Sequence, residues 1–169
     1  LDDSRLAMVV KNRSKHEFRI VSTKPGQVGK LLTTHACPTN SCRVQNWVPG
    51  ASNLAVALGD GTLMWRLATP APVVVKASAG RIRKIHSFWA NPDQDLFLAA
   101  DRRSVKVYAD DGTLQWSWRS PAEDVVTAHF SEDEKGVLVA TQNALILVEN
   151  GQEIKRLATL DASAPRDAK

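Results

Sequence analysis

The chain has 169 residues, 43% of them hydrophobic, which is enough to bury a core and too many for disorder along its length. Lys and Arg number 22 against 18 Asp and Glu, giving a formal charge of +4 and an isoelectric point near 9.3. That excess is too mild for a polybasic tail, so the placement of the charges matters more than their sum. No apolar run approaches the roughly 18 residues of a membrane-spanning helix, and the start, Leu1-Asp-Asp-Ser-Arg5, has no signal-peptide layout and reads as part of a longer chain.

Taken in chain order, short β-rich runs alternate with turn residues. Leu6 to Val10, Phe18 to Ser22 and Val28 to Thr33 come first, with Asn12-Arg-Ser14 matching a glycosylation sequon between the first two. Cys37 and Cys42 then stand in the turn-rich stretch Ala36-Cys-Pro-Thr-Asn-Ser-Cys42. Joined as a local disulfide they imply an oxidising compartment; as free thiols they imply nothing. His35 beside them gives only three metal donors, at a spacing unlike the usual zinc patterns. Next come Arg43 to Val48, Asn53 to Leu58, Thr62 to Leu67 and Val73 to Ala77. A further four are Arg83 to Trp89, Leu96 to Ala100, Ser104 to Ala109 and Thr113 to Trp118, with Asn91-Pro-Asp-Gln-Asp95 and Asp110-Asp-Gly112 supplying hairpin turns. The last four are Val125 to Phe130, Val137 to Thr141, Ala144 to Glu149 and Glu153 to Leu157, and the tail Asp161-Ala-Ser-Ala-Pro-Arg-Asp-Ala-Lys169 reads as linker.

A template repeats through these runs. Trp47-Val-Pro-Gly-Ala-Ser-Asn-Leu-Ala-Val-Ala57, Trp89-Ala-Asn-Pro-Asp-Gln-Asp-Leu-Phe-Leu-Ala99 and Phe130-Ser-Glu-Asp-Glu-Lys-Gly-Val-Leu-Val-Ala140 each run from an aromatic residue through a polar turn to an Ala ten positions on. Their starts, at 47, 89 and 130, are separated by the period of roughly 40 residues of a four-stranded propeller blade. A β-sandwich also has many short strands but no reason to repeat. The expected fold is therefore all-β: a β-propeller segment of about four four-stranded blades, the first incomplete, within a seven- or eight-bladed ring. Residues 1–158 form the partial propeller, with blades at about 1–34, 42–78, 82–119 and 124–158, and 159–169 is a linker or disordered tail. The first blade lacks its innermost strand, an edge that further chain or a partner would have to cover. Gly, Pro and Asp between all the runs leave no room for a helix longer than about two turns. Strand alternation nominates Leu96, Leu98, Val105, Val107, Leu138, Ala140, Leu145 and Leu147 as buried.

Two families resemble this chain. Asp60-Gly-Thr-Leu-Met-Trp65 and Arg103-Ser-Val-Lys-Val-Tyr108 are similar to the third strand of WD40 repeats, and Asn91-Pro-Asp93 to the turn before their second strand. Val107-Tyr-Ala-Asp-Asp-Gly-Thr-Leu-Gln-Trp116 resembles the repeat of quinoprotein-type propellers. The first resemblance implies a cytoplasmic or nuclear interaction scaffold. The second implies an extracytoplasmic propeller, including those of envelope assembly, and an oxidised Cys37–Cys42 pair would agree with it.

The sequence holds no phosphate loop, nucleophile elbow or zinc-protease helix, so no enzyme and no cofactor or metal site is expected. His86 and His129 stand one period apart in innermost strands, where hydrogen-bonded core histidines are far commoner than metal ligands. Asp93, Asp95, Asp110 and Asp111 are accounted for by turn chemistry. Inter-sheet packing is the default use of large rings such as Trp116 and Trp118; because they share one strand face, they would make a partner-binding hot spot only at an exposed blade edge.

Folding the pattern sorts the charges. In a propeller the loops from fourth to first strand and from second to third emerge together at one end, which here gathers Lys11, Arg13, Lys15, Arg81, Lys84, Arg102 and Arg103, with Glu123 and Asp124 as its acidic members. The opposite end gathers Asp2, Asp3, Asp93, Asp95, Asp110, Asp111, Glu132, Asp133, Glu134 and Glu149 against Lys24 and Lys135. The expected function is a non-enzymatic scaffold that docks an acidic protein surface or an RNA backbone on those seven basic residues within a larger complex.

Overall fold

The computed structural model describes residues 5–12, 15–38, 44–48, 55–59, 61–67, 69–76, 85, 87–91, 95–133 and 135–159. Among them there is no helix, and fifteen strands form four separate antiparallel sheets. Sheet 1 has three strands in the order β1 (Arg5–Asn12), β2 (Lys15–Ser22), β3 (Leu31–Ala36). Sheet 2 comprises β4 (Val44–Val48), β5 (Ala55–Leu58), β6 (Thr62–Trp65) and β7 (Val73–Lys76). Sheet 3 comprises β8 (Ser87–Asn91), β9 (Leu96–Ala100), β10 (Ser104–Ala109) and β11 (Leu114–Arg119), and sheet 4 β12 (Val125–Phe130), β13 (Val137–Thr141), β14 (Ala144–Glu149) and β15 (Gln152–Thr159). Each strand pairs with its successor in sequence, so every sheet is a meander of hairpins. β8 lies against both β4 and β12, which brings the first strands of sheets 2 to 4 together and makes them propeller-like blades.

Three apolar interfaces hold the sheets in sequence order. Phe18 and Ile20 of sheet 1 meet Val56, Leu58 and Met64 of sheet 2. The opposite face of sheet 2, with Ala57, Leu63 and Trp65, meets Phe88, Phe97 and Tyr108 of sheet 3, where Trp65 stacks on Phe97 with ring centroids 4.6 Å apart. Leu98, Val105 and Val107 on the other face of sheet 3 meet Val137, Val139 and Ile146 of sheet 4. Because successive residues of a strand point to opposite faces, β5 and β6 can be buried at every position only by having a sheet on each side.

The turn between the third and fourth strand of a sheet adds a second, recurring contact. In sheet 2 the Leu67 carbonyl lies 2.8 Å from the His35 Nε2 on β3. In sheet 3 a Cβ on Gly112 would come within 3.0 Å of Val73 on β7, and Trp65 Nε1 donates to the Asp110 carbonyl at 2.7 Å while the Arg66 guanidinium pairs with the Asp110 carboxylate. In sheet 4 a Cβ on Gly151 would sit 2.7 Å from the Ser117 carbonyl oxygen of β11. Both glycines have positive φ, 93° and 79°, so their turns need the left-handed backbone as well as the missing side chain. Each of these turns thus reaches back over the outer strand of the preceding sheet.

One expectation is corrected. Leu98, Val105 and Val107 are fully buried, but Leu138, Ala140, Leu145 and Leu147 are only half-buried, as is Leu96. In sheet 4 the residues turned toward sheet 3 are Val137, Val139, Ala144, Ile146 and Val148. The runs Val137-Leu-Val-Ala140 and Ala144-Leu-Ile-Leu-Val148 are apolar at every position, so alternation offers two faces and does not choose between them. Trp118 is buried and Trp116 packs against the same core as Leu98, so the pair serves inter-sheet packing, the default expected of such rings, and not an exposed hot spot. Replacing Ile146 with Ala should cost about 2–5 kcal/mol in urea unfolding. Replacing Val126, 55% exposed, should change stability by no more than about 0.5 kcal/mol.

Candidate functional site

In sheet 3 the second-to-third-strand hairpin and the link to sheet 4 emerge side by side, and in sheet 1 Lys11 and Lys15 flank the β1–β2 hairpin, both exposed and neither ion-paired among the described residues. Residues 101–103 form the β9–β10 turn beside the link 120–124. Asp101 is buried, and its Oδ1 accepts the backbone N–H groups of Arg103 and Ser104 at 2.8 Å each, which closes the turn as an Asx motif and fixes where the two arginines leave the chain. Arg102 donates from Nε to Asp124 at 2.5 Å, Arg103 Nε lies 3.1 Å from the same carboxylate, and Arg103 Nη1 donates to the Ala122 carbonyl at 2.8 Å.

These bonds give the two arginines different work. Arg103 is the more enclosed and ties the turn to the link. Arg102, with its side chain 70% exposed, is held by Nε alone, so both terminal nitrogens of its fork remain available to a planar anion such as a carboxylate. The nearby acids are all engaged: Asp124 with the arginines, Asp101 with the turn, and Glu123 with the Thr141 hydroxyl and with Arg156 at 3.8 Å. The structure therefore joins Arg102 and Arg103 in one turn of sheet 3 and places Lys11 and Lys15 beside one hairpin of sheet 1, while Arg13, Arg81 and Lys84 lie outside the described residues. Sequence reasoning counted charges here and missed the pairing with Asp124, although Asp101 two residues before Arg103 is a recognisable turn signal.

The acidic end follows turn chemistry. Asp111 accepts the Thr113 backbone N–H at 2.8 Å, and Asp133 accepts the Ser131 hydroxyl at 2.6 Å; these hydrogen bonds hold both carboxyls below their ordinary pKa. His129 is exposed with its ring 4.3 Å from that of Trp89, and His86 lies outside the described residues. Among the described residues no group of His, Cys, Asp or Glu could hold a metal ion. Cys37 is disulfide-bonded, and the sequence has one other cysteine, Cys42, which lies outside the described residues. No helix among the described residues is long and apolar enough to cross a membrane. No protein-family model matches the chain, and no curated protein matches it.

One titration reads the packing behind this end of the stack. Tyr108, the single tyrosine of the sequence, is pushed up to about 12 by burial first and by the charge of Asp101 second. The sign follows: the folded state favours the neutral phenol, so this contribution to stability is complete below the ordinary pKa of 10.0 and is lost as pH rises toward about 12. The near-ultraviolet phenolate band of the folded protein should therefore appear only near pH 12. A midpoint at the ordinary value in a still-folded sample would contradict the buried placement of this ring.

Proposed function

We propose that the chain is a non-enzymatic interaction scaffold built of WD40-like blades, which docks an acidic protein surface on its basic end within a larger complex. The observation that carries this reading is Arg102: an exposed guanidinium anchored at Nε by Asp124, with both terminal nitrogens unbonded among the described residues. An arginine already held in place loses less side-chain freedom when a carboxylate binds its fork. Lys11 and Lys15, exposed beside the β1–β2 hairpin, are point charges on flexible stems, suited to steering an acidic partner toward the surface.

Immobilised poly-glutamate supplies the test. The full chain should bind it with an affinity that falls as salt rises. Replacing Lys11, Lys15 and Arg102 with Ala should weaken binding on the order of tenfold or more, since hydrogen bonds to charged groups contribute about 1.5–3 kcal/mol each. Arg103 is left in place because it bonds the Ala122 carbonyl and supports the link. The control alters the opposite end, with Asp95→Asn and Glu132→Gln, and should leave binding unchanged or slightly stronger. Equal losses from both sets, or no dependence on salt, would overturn the reading.

A second reading has one observation in its favour. The disulfide at Cys37 suits an oxidising compartment, and with it an extracytoplasmic quinoprotein-type propeller acting in envelope assembly. A thiol titration in denaturant without reductant separates the two. No free thiol favours the second setting, and two free thiols exclude it.

A further inference from the structure

Among the described residues, sheet 1 and sheet 4 each have one face that no other sheet covers, and those two faces are the unmatched halves of a contact the chain already makes three times. On sheet 1, Phe18 and Ile20 point toward sheet 2, so Leu6, Met8 and Val10 of β1 point away from it together with Glu17 and Arg19 of β2. Leu6 is 50% exposed, and the Nε of Arg19 is enclosed without an acceptor. On sheet 4 the uncovered face carries His129, Leu138, Ala140, Leu145 and Leu147, which register with one another across β12, β13 and β14. Leu6, Met8 and Val10 on one face and Leu138, Leu145 and Leu147 on the other supply the apolar side chains such a contact needs.

The recurring turn contact is unmatched at the same two places. The turns at Leu67, Gly112 and Gly151 each reach back over the outer strand of the preceding sheet. The corresponding turn of sheet 1, residues 23–30, is exposed along its whole length, with Val28 75% exposed, and a Cβ on Gly26 or Gly29 would meet nothing within 4 Å. Conversely, β15, the outer strand of sheet 4, is exposed at all eight positions. One end of the stack thus has a turn with no outer strand beneath it, and the other has an outer strand with no turn above it.

We propose that a second copy of this chain completes the contact head to tail, the uncovered face of sheet 1 in one protomer packing on the uncovered face of sheet 4 in its partner, with the turn 23–30 lying over the partner's outer strand. Because both halves are carried by one chain the contact is heterologous, and two copies close when the rotation it imposes brings the second pair of open faces together; otherwise it would propagate. Two copies contribute eight sheets, within the range of four to eight blades that closed propellers adopt. This inference does not depend on what binds the basic end.

Sedimentation equilibrium of the full 169-residue chain, at concentrations up to about 100 μM, tests it. The wild type should weigh twice its chain mass of 18.5 kDa. The pairs Leu6→Glu with Met8→Glu, and Leu145→Glu with Leu147→Glu, should each give a folded monomer, and an equimolar mixture of the two variants should recover a 1:1 dimer through the one pair of faces still intact. Should either pair fail to fold, Val28→Lys replaces it: the position is exposed and the change would bring a positive charge toward the partner's Lys155, so the dimer constant should weaken at least tenfold with unchanged circular dichroism. A monomeric wild type, or a dimer indifferent to all of these changes, would overturn the proposal.

Discussion

A β-strand that is apolar on both sides has to be covered on both sides. The four residues of β5 and the four of β6 are all buried, and β9 is buried at every position after Leu96. A single sheet, or a two-layer sandwich with one face in water, leaves one side of such strands exposed, at a cost of about 25 cal/mol for each Å² of apolar surface. Stacking the sheets one after another removes that cost for the inner sheets and transfers it to the two ends. The order of the sheets, the wide aromatic contact of Trp65 with Phe97, and the two open end faces all follow from that requirement.

The turns determine how the stack is held in register. Face-to-face packing of aliphatic side chains is adaptable and tolerates sliding, whereas the contacts of Leu67, Gly112 and Gly151 with the preceding outer strands fix one position. Asp110 strengthens the middle one by accepting from Trp65 and pairing with Arg66, whose own φ of 58° is unusual for a residue with a side chain. The residues whose chemistry suits binding occupy the opposite loop end, where Asp101 and Asp124 set the positions of Arg102 and Arg103.

Much of the fold was legible because the turns are written in Asp, Asn and Gly at regular spacing, and all fifteen expected runs coincide with strands to within a few residues. Faces were less legible. The template position of Val56, Leu98 and Val139 packs on the preceding sheet in sheets 2 and 4 but on the following sheet in sheet 3, a flip that a one-residue change in strand phase produces and that continuous apolar runs conceal. The same ambiguity displaced Leu145 and Leu147 in favour of Ala144, Ile146 and Val148. At the loop end the basic residues could be counted but their partners could not, because Arg102 meets Asp124 across 22 positions of sequence.

The account stands or falls on the sheets being joined through their faces. The most direct measurement is a double-mutant cycle between Trp65 of sheet 2 and Phe97 of sheet 3, each replaced by Leu alone and together, with stability read from urea unfolding. Stacked rings whose centroids are 4.6 Å apart should show a coupling of about 0.5–1.5 kcal/mol beyond the sum of the single losses. Strict additivity of the two substitutions would mean that these sheets do not meet through their faces, and the stacked arrangement would have to be abandoned.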